Sequence, residues 1–165
     1  MKLPNHADPA DFERHLHDPA WRSVAAAICA RHGLPYEALH RSPQGENVIY
    51  FVAGSHVIKI YGPARDQHAR ERASLRFAAG CRLGVATPEV LHEGEIEGWP
   101  YLVISRLAGR LMREVWPVID EEGRIEIVSQ IGAAMRELHA QPAPAGEPAL
   151  ARDWDAFVGR QAAES

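Results

Sequence analysis

Two short apolar runs on either side of a glycine, at residues 48–53 and 56–61, restrict the possible fold more than any other feature of the sequence. Both runs are rich in β-branched and aromatic residues, which favour strands, and Gly54-Ser55 between them can form a hairpin turn. In the second run, strand alternation places Lys59 on the face opposite to the two isoleucines. The sequence therefore predicts a β-hairpin that carries a lysine in an apolar setting.

A polar segment after this hairpin predicts a helix that contains a glutamate. Residues 66–79 show helical spacing, with Glu71 and Leu75 on one side and Gly80 at the end. Glu71 follows Lys59 by 12 positions (71 minus 59). Two interpretations stay open from the residues alone: a stem that packs while its ammonium reaches water, beside a solvated glutamate, or a functional pair.

The other predicted elements complete an α+β chain. Further helices are expected at 19–32, at 111–116 and at 153–163, where Trp154 and Phe157 would be buried. Another helix is expected to begin after the cap residue Asp120 and to carry an apolar stripe made of Ile127, Ile131, Ala134 or Met135, and Leu138. Further strands are expected at 36–42, 88–93 and 99–105, with a turn region at 94–98 and a stiff linker at Pro142, Pro144 and Pro148. We expect a sheet of about five strands, mostly antiparallel, with one helix inserted after the third.

Composition excludes several classes of protein. The net charge is -4 and no basic block is present, so no nucleic-acid partner is expected. No apolar run reaches membrane-spanning length and the first residues are too polar for a signal peptide, so we expect no membrane partner and a cytoplasmic location. The nine histidines are scattered, and Cys29 and Cys81 lack metal-ligand spacing. No metal site is predicted in this chain.

Several short strings occur in an order that resembles a known family. They are Gly45-Glu46-Asn47, the strand string at 57–61, the helix string at 70–75, the strand string at 99–104, 107–111 and Leu138-His139. Together they resemble the small lobe and hinge of the protein-kinase-like fold, and more closely the aminoglycoside phosphotransferase family, over roughly residues 35–160. The resemblance implies an N-terminal helical extension at 1–34, a nucleotide-binding small lobe at 35–105, and a hinge with the start of a helical large lobe at 106–165.

The resemblance also implies roles for individual residues toward ATP or GTP with Mg²⁺. Lys59 would hold the α- and β-phosphates, and Glu71 would fix its direction. The backbone N–H groups of the turn would cover the phosphates, and the connector would bind the base edge. The implied nucleotide-binding residues are Gly45, Glu46, Asn47, Lys59, Glu71, Ile104, Ser105 and Leu107.

The family's catalytic loop is missing from the sequence. A His-Gly-Asp string, a following asparagine and a metal-binding aspartate are absent, and His139 precedes Ala140-Gln141 instead. Asp153 and Asp155 match a segment before the catalytic loop. No catalytic residue or magnesium ligand is therefore assigned, and we expect the N-terminal portion of a small-molecule phosphotransferase, truncated and inactive alone. Its apolar helical surface would associate with a complementary large-lobe chain or with another copy.

Two other functions stay open. The chain can be a non-catalytic module that binds a partner through its helical tail, which predicts no nucleotide binding and indifference to Lys59→Ala. It can also be a nucleotide-binding remnant without activity, which predicts weak binding that Lys59→Ala abolishes. In the complete enzyme the phosphoryl acceptor would be a small hydroxylated molecule, and the sequence does not choose among such acceptors or between ATP and GTP.

Overall fold

The computed structural model describes residues 8–63 and 66–142, which form five helices and five strands. The helices are α1 (Pro9–Arg14), α2 (Trp21–His32), α3 (Gln67–Ala79), α4 (Met112–Val115) and α5 (Glu121–His139). The strands are β1 (Leu39–Arg41), β2 (Val48–Val52), β3 (His56–Ile60), β4 (Val90–Ile96) and β5 (Trp99–Ser105). The predicted helix at 153–163 and the linker residues Pro144 and Pro148 lie outside the described residues.

The five strands form one antiparallel sheet in the order β1-β2-β3-β5-β4. The helix α3 follows the third strand, as predicted from the sequence. In the centre of the sheet, Lys59 of β3 pairs with Leu102 of β5, and Val57 pairs with Ile104. This register places Ile104, the penultimate residue of β5, two residue positions from Lys59 along the sheet.

Both hairpin turns differ slightly from the prediction. Ala53 and Gly54 have φ angles of 44° and 78°, so the first turn is centred one residue earlier than Gly54-Ser55. Glu97 and Gly98 have φ angles of 51° and 84°, and β4 continues through most of the predicted turn region at 94–98. The first loop has three residues, 53–55, between the paired Val52 and His56, and the second has two, Glu97 and Gly98, between the paired Ile96 and Trp99. Positive φ at two successive residues in each loop matches the twist of the flanking strands.

One face of the sheet packs against α1 and α2 and forms the main core. Trp21 and Trp99 meet edge to face with ring centroids 4.9 Å apart, and Phe12 lies 5.3 Å from Trp99. Phe12 belongs to α1, which the sequence analysis missed; Asp8 caps this helix by accepting from Ala10 N at 2.9 Å. A large aromatic cluster therefore fixes the N-terminal helices to the sheet.

The opposite face is covered mainly by α3 and has a smaller core. Tyr61, Leu102 and Ile104 are buried there, with half-buried apolar neighbours that include Leu75 of α3. Ile58 and Ile60 point to the main core instead. The predicted alternation along this strand is confirmed.

The helix α5 has no buried residue. The Asp120 carboxylate accepts from Gly123 N at 2.9 Å, which confirms the predicted cap. Ile131 and Met135 of the predicted apolar stripe are 52% and 46% exposed. Glu137 connects this helix to the loop between α3 and β4 by accepting from Gly84 N at 2.6 Å. Among the described residues, no helix has both the length and the apolarity to cross a membrane.

Candidate functional site

Lys59 and Glu71 form an ion pair between the sheet and the helix α3. Their side chains are 20% and 30% exposed, so both lie partly shielded from water. Strand alternation directs Lys59 toward α3, and the helix begins only after Gly62-Pro63, which places Glu71 in its second turn. In this setting the carboxylate holds the ammonium in one direction, and either charge left alone would stay in partial contact with water.

The loop at Gly45, Glu46 and Asn47 lies over this ion pair. Gly45 has a φ of 112°, a conformation that side-chain-bearing residues rarely adopt. The Asn47 side chain is buried, where its Oδ1 accepts from Gly62 N at 3.3 Å and its Nδ2 donates to Gln67 Oε1 at 2.9 Å. Asn47 therefore anchors the loop with its side chain, and only its backbone remains for a ligand.

The loop, the strand and the helix enclose an open groove of about 420 Å³. The structure brings five of the sequence-predicted site residues together around it. The groove is lined by Gly45, Glu46, Asn47, Ile49, Lys59, Gln67, Arg70, Glu71 and Ser74. Gln67, Arg70 and Ser74 were not assigned from the sequence, although the helical period places Arg70 and Ser74 on the side of α3 beside Glu71.

Tyr61 packs beside the ion pair and was also missed as a site residue. Its ring centroid lies 5.3 Å from Lys59 Nζ, and its side chain is almost fully buried. Burial raises the pKa of the Tyr61 phenol strongly, and the nearby negative charge of Glu71 raises it further. The phenol therefore stays protonated. The signal was present in the sequence, because alternation puts Tyr61 on the Lys59 face.

The other three predicted residues, Ile104, Ser105 and Leu107, lie outside the groove lining. Ile104 is on the same sheet face as Lys59, two residues further along, or about 7 Å. The Ser105 N–H donates to Glu89 O at 2.9 Å, so it is not available to a ligand. The Leu107 N–H has no acceptor within the described part of the chain, and the Leu107 side chain is exposed.

Within residues 8–63 and 66–142, no group of three histidine, cysteine, aspartate or glutamate side chains lies close enough to hold a metal ion. Cys29 is buried in α2, and Cys81 follows α3, where its thiol donates to Phe77 O at 3.1 Å. Both are free thiols. The donors in the groove include the ammonium, the guanidinium, an amide and a hydroxyl, and the lining also contains the carboxylates of Glu46 and Glu71. Such donors suit a polyphosphate.

Comparison with known proteins gives a consistent result. A family model described as "Phosphotransferase enzyme family" matches residues 41–165. No curated protein matches the chain. The chain is similar to APH(2″)-IIa in its ternary complex with streptomycin and ATP, with a TM-score of 0.61 and 16% identity over 83% of this chain and 47% of that one.

Two further solved structures show the same similarity. APH(2″)-IIa with gentamicin gives a TM-score of 0.63 and 15% identity over 86% of this chain and 48% of that one. The aminoglycoside phosphotransferase APH(2″)-Ib with ADP gives a TM-score of 0.61 and 16% identity over 85% of this chain and 48% of that one. The chain therefore spans about half the length of these structures. The expected fold, a kinase-like small lobe followed by the first helices of a helical lobe, is confirmed.

Proposed function

The chain belongs to the phosphotransferase enzyme family, and from this premise we propose that the groove beside Lys59 binds the triphosphate of ATP or GTP. The observation that carries the proposal is the Lys59–Glu71 ion pair under a glycine-containing loop. Phosphoryl transfer depends mainly on positioning and on positive charge near the phosphates. A lysine held in one direction supplies both.

Each group around the groove has a role in this proposal. Lys59 contacts the α- and β-phosphates, and Glu71 restrains its ammonium. The backbone N–H groups of Gly45, Glu46 and Asn47 cover the phosphates, and the absence of a side chain at Gly45 permits close approach. Arg70 adds a second positive charge at the rim. The groove volume of about 420 Å³ lies within the usual range for ligand pockets.

The base of the nucleotide extends along the same face toward the end of β5. Ile104 packs behind the base, the Ser105 carbonyl accepts from the base edge, and the Leu107 N–H donates to it. The hydrogen bond from Ser105 N–H to Glu89 O fixes the connector in this direction. Backbone contacts of this kind recognise the purine edge without a specific side chain.

The reaction of the complete enzyme, in this proposal, transfers the γ-phosphate to a hydroxyl of a small molecule. Mg²⁺ would neutralise charge that develops on the phosphates, and its ligands are not among the residues assigned here. Because residues 1–165 contain no match to the family's catalytic aspartate, we propose that this chain binds nucleotide and does not transfer phosphate by itself. The acceptor class, an aminoglycoside or related amino sugar, is proposed by analogy with the streptomycin and gentamicin complexes.

A second candidate function rests on a different observation. The apolar residues Ile125, Val128, Ile131 and Met135 are all between 46% and 60% exposed on α5. Exposed patches of this kind mark interaction surfaces. A module that binds a partner through α5, a complementary large-lobe chain or another copy would use them, in a cytoplasmic setting without nucleic acid or membrane.

Calorimetric titration with Mg-ATP and Mg-GTP tests the proposal. Wild-type chain should bind at least one of them, and Lys59→Ala should abolish binding while circular dichroism shows an unchanged fold. Lys2→Ala is a matched control, because Lys2 is the only other lysine in the sequence, and it should bind as wild type. No binding by folded wild-type chain would refute the nucleotide site and favour the interaction module.

Phosphate transfer is assayed separately by release of ADP with aminoglycosides as acceptors. The proposal expects binding without turnover. Turnover by the purified chain would refute the expectation that the groove alone is inactive.

A further inference from the structure

The helix α3 carries Glu71 but has few apolar contacts with the sheet. Ala73 is its one buried residue, and Leu75 is partly buried against the smaller core. Its N-cap residue, Asp66, makes no side-chain cap hydrogen bond. Apolar contact is non-directional and is small here, so polar contacts have to set the direction in which Glu71 points.

One carboxylate at the edge of the sheet supplies such contacts. Glu93 lies on the edge strand β4, and its Oε2 accepts from Arg76 Nη2 at 3.1 Å. Arg72 Nη1 lies 3.8 Å from its Oε1. The two arginines are four positions apart on α3, where like charges repel each other unless an anion offsets them. Glu93 therefore holds α3 at two positions, one with each carboxylate oxygen.

The sheet places this carboxylate in line with Lys59. Leu102 of β5 pairs with Lys59 on one side and with Glu93 on the other. Paired residues of antiparallel strands share a face, so the three residues form a row across the sheet that is about 10 Å long. A positive charge, a buried leucine and a negative charge therefore lie in this order under α3.

The helix presents the complementary charges in the matching order. Glu71 and Arg72 are successive residues, and successive side chains of an α-helix point about 100° apart. Glu71 reaches Lys59 at the centre of the sheet. Arg72 and Arg76 reach Glu93 at its edge. A helix placed so as to exchange these contacts would set like charges against each other at both ends of the row, so the charges select one placement of α3.

We propose that Glu93 is a positioning residue for the proposed nucleotide site. Its hold on the two arginines fixes the rotation of α3 about its axis and thereby keeps Glu71 on Lys59. The inference rests on the proposed nucleotide site, because Lys59 is the residue assigned to the phosphates. Glu93 is not part of the groove lining, so its effect on a nucleotide passes through Glu71.

Nuclear magnetic resonance of the nucleotide-free chain tests the position of Glu71 directly. Lysine labelled with ¹³C and ¹⁵N at the Cε–Nζ group gives two signals, because the sequence contains two lysines, and Lys2→Arg assigns them. Glu71→Gln removes the charge beside the ammonium and marks the position of the unpaired Lys59 signal. Glu93→Gln should move the Lys59 signal part of the way toward that position.

Glu95→Gln is the matched control for this measurement. Glu95 lies two residues after Glu93 on the same side of β4, and its side chain forms no ion pair within the described part of the chain. The control should leave the Lys59 signal in place. If Glu93→Gln does not fold, Arg76→Gln removes the 3.1 Å contact from the helix side, at a side chain that is 59% exposed, and should give the same displacement.

Calorimetric titration with Mg-ATP and Mg-GTP tests the consequence for binding. Glu93→Gln should weaken nucleotide binding about threefold, within the range expected for a partly exposed ion pair, and Glu95→Gln should bind as wild type. In a Glu71→Gln background the Glu93 substitution should have almost no effect, because Glu93 acts through Glu71. Glu93→Arg should weaken binding further, and adding Arg76→Glu should recover part of the loss.

The outcomes separate this inference from the proposed function. A Lys59 signal that Glu93→Gln does not move would overturn the inference, and so would equal losses of affinity with and without Glu71. Failure of the reversed pair to recover any affinity would assign the effect to the substituted side chain and would also overturn it. A wild-type chain that binds no nucleotide would refute the proposed function, and the Lys59 signal would still decide whether Glu93 positions Glu71.

Discussion

The two faces of the sheet differ in how they use the same strands. The face under α1 and α2 carries a continuous core that includes Trp21 and Trp99. The face under α3 buries fewer apolar side chains and holds the Lys59–Glu71 pair beside an open groove. Strand β3 serves both, since its side chains alternate. The proposed nucleotide site lies on the face opposite to the main core, so substitutions on one strand should separate nucleotide binding from stability.

The largest effect is expected in the main core. Trp21→Ala should lower the free energy of unfolding by about 3–5 kcal/mol, because it removes a fully buried indole and its hydrogen bond to His15 O. Chemical denaturation measures the loss. Val118→Ala, at a side chain that is 73% exposed, is the control and should change stability little. A small loss from Trp21→Ala would mean that this face does not carry the stability.

Neighbouring residues on β3 should give opposite phenotypes. Ile58→Ala should cost about 2–5 kcal/mol of stability, since Ile58 is fully buried in the main core, and should leave nucleotide affinity of the folded fraction intact. Lys59→Ala should abolish nucleotide binding and change stability by about 1 kcal/mol or less, because the ion pair is partly exposed. Denaturation and calorimetry on the same two variants check this. If each variant lost both stability and nucleotide affinity, the assignment of stability to one face and nucleotide binding to the other would be contradicted.

A helix outside both faces sharpens the comparison. Asp120→Ala should lower the local opening free energy of α5 by about 1 kcal/mol, because Gly123 N loses its cap. Amide hydrogen exchange should become faster in α5 and should stay unchanged in the strands of the sheet. The exposed Ser129→Ala is the control. Faster exchange in the strands would show that α5 supports the small lobe more than its exposure indicates.

The smallest expected effect is a dependence of stability on pH, which arises from one histidine on each side of the sheet, His32 and His68. Burial lowers the pKa of His32, and His92 and Arg31 lower it further; the two imidazole rings are stacked 4.2 Å apart. Burial also lowers the pKa of His68 on the α3 side, and the positive charge of Arg72 lowers it further. Three smaller effects raise this pKa: a hydrogen bond to the backbone of Tyr101, and the negative charges of Glu93 and Glu71.

The sign follows from these shifts. Below the ordinary histidine pKa of 6.5, the unfolded chain takes up protons that both folded residues resist, so stability should be complete above that pH and decrease as the pH falls. Urea denaturation between about pH 7 and pH 5.5 measures the slope. His32→Asn and His68→Asn should each flatten it in part. A slope that neither variant changes would refute this origin.

Much of the fold was predictable because it depends on local pattern. The alternation of 56–61, the helical spacing of α3 and the Asp120 cap each act over a few residues, and the structure contains them. The α1 helix was missed because its apolar contact, Phe12, is one residue that packs against distant aromatic rings. The helix α5 has an apolar stripe in sequence, but Ile131 and Met135 on it are exposed.

The site divides in the same way. A lysine in an apolar strand and a glutamate in the following helix could be identified from the sequence, and their roles toward a nucleotide stay a prediction. Their closeness could not be derived from spacing alone, because it depends on how α3 packs on the sheet. The anchoring of Asn47 by Gly62 and Gln67 depends on the same packing.

The sequence by itself determined the order of the strands and helices, the face on which Lys59 lies and the likeness to a phosphotransferase small lobe. Those features follow from short-range periodicity and turn chemistry, which are set by neighbouring residues. Only the tertiary structure decided that Lys59 meets Glu71, that the Asn47 side chain bonds to Gly62 and Gln67, and that Tyr61 lies buried beside the ion pair. Such contacts join residues 10 or more positions apart, and their geometry arises only when the helix closes onto the sheet.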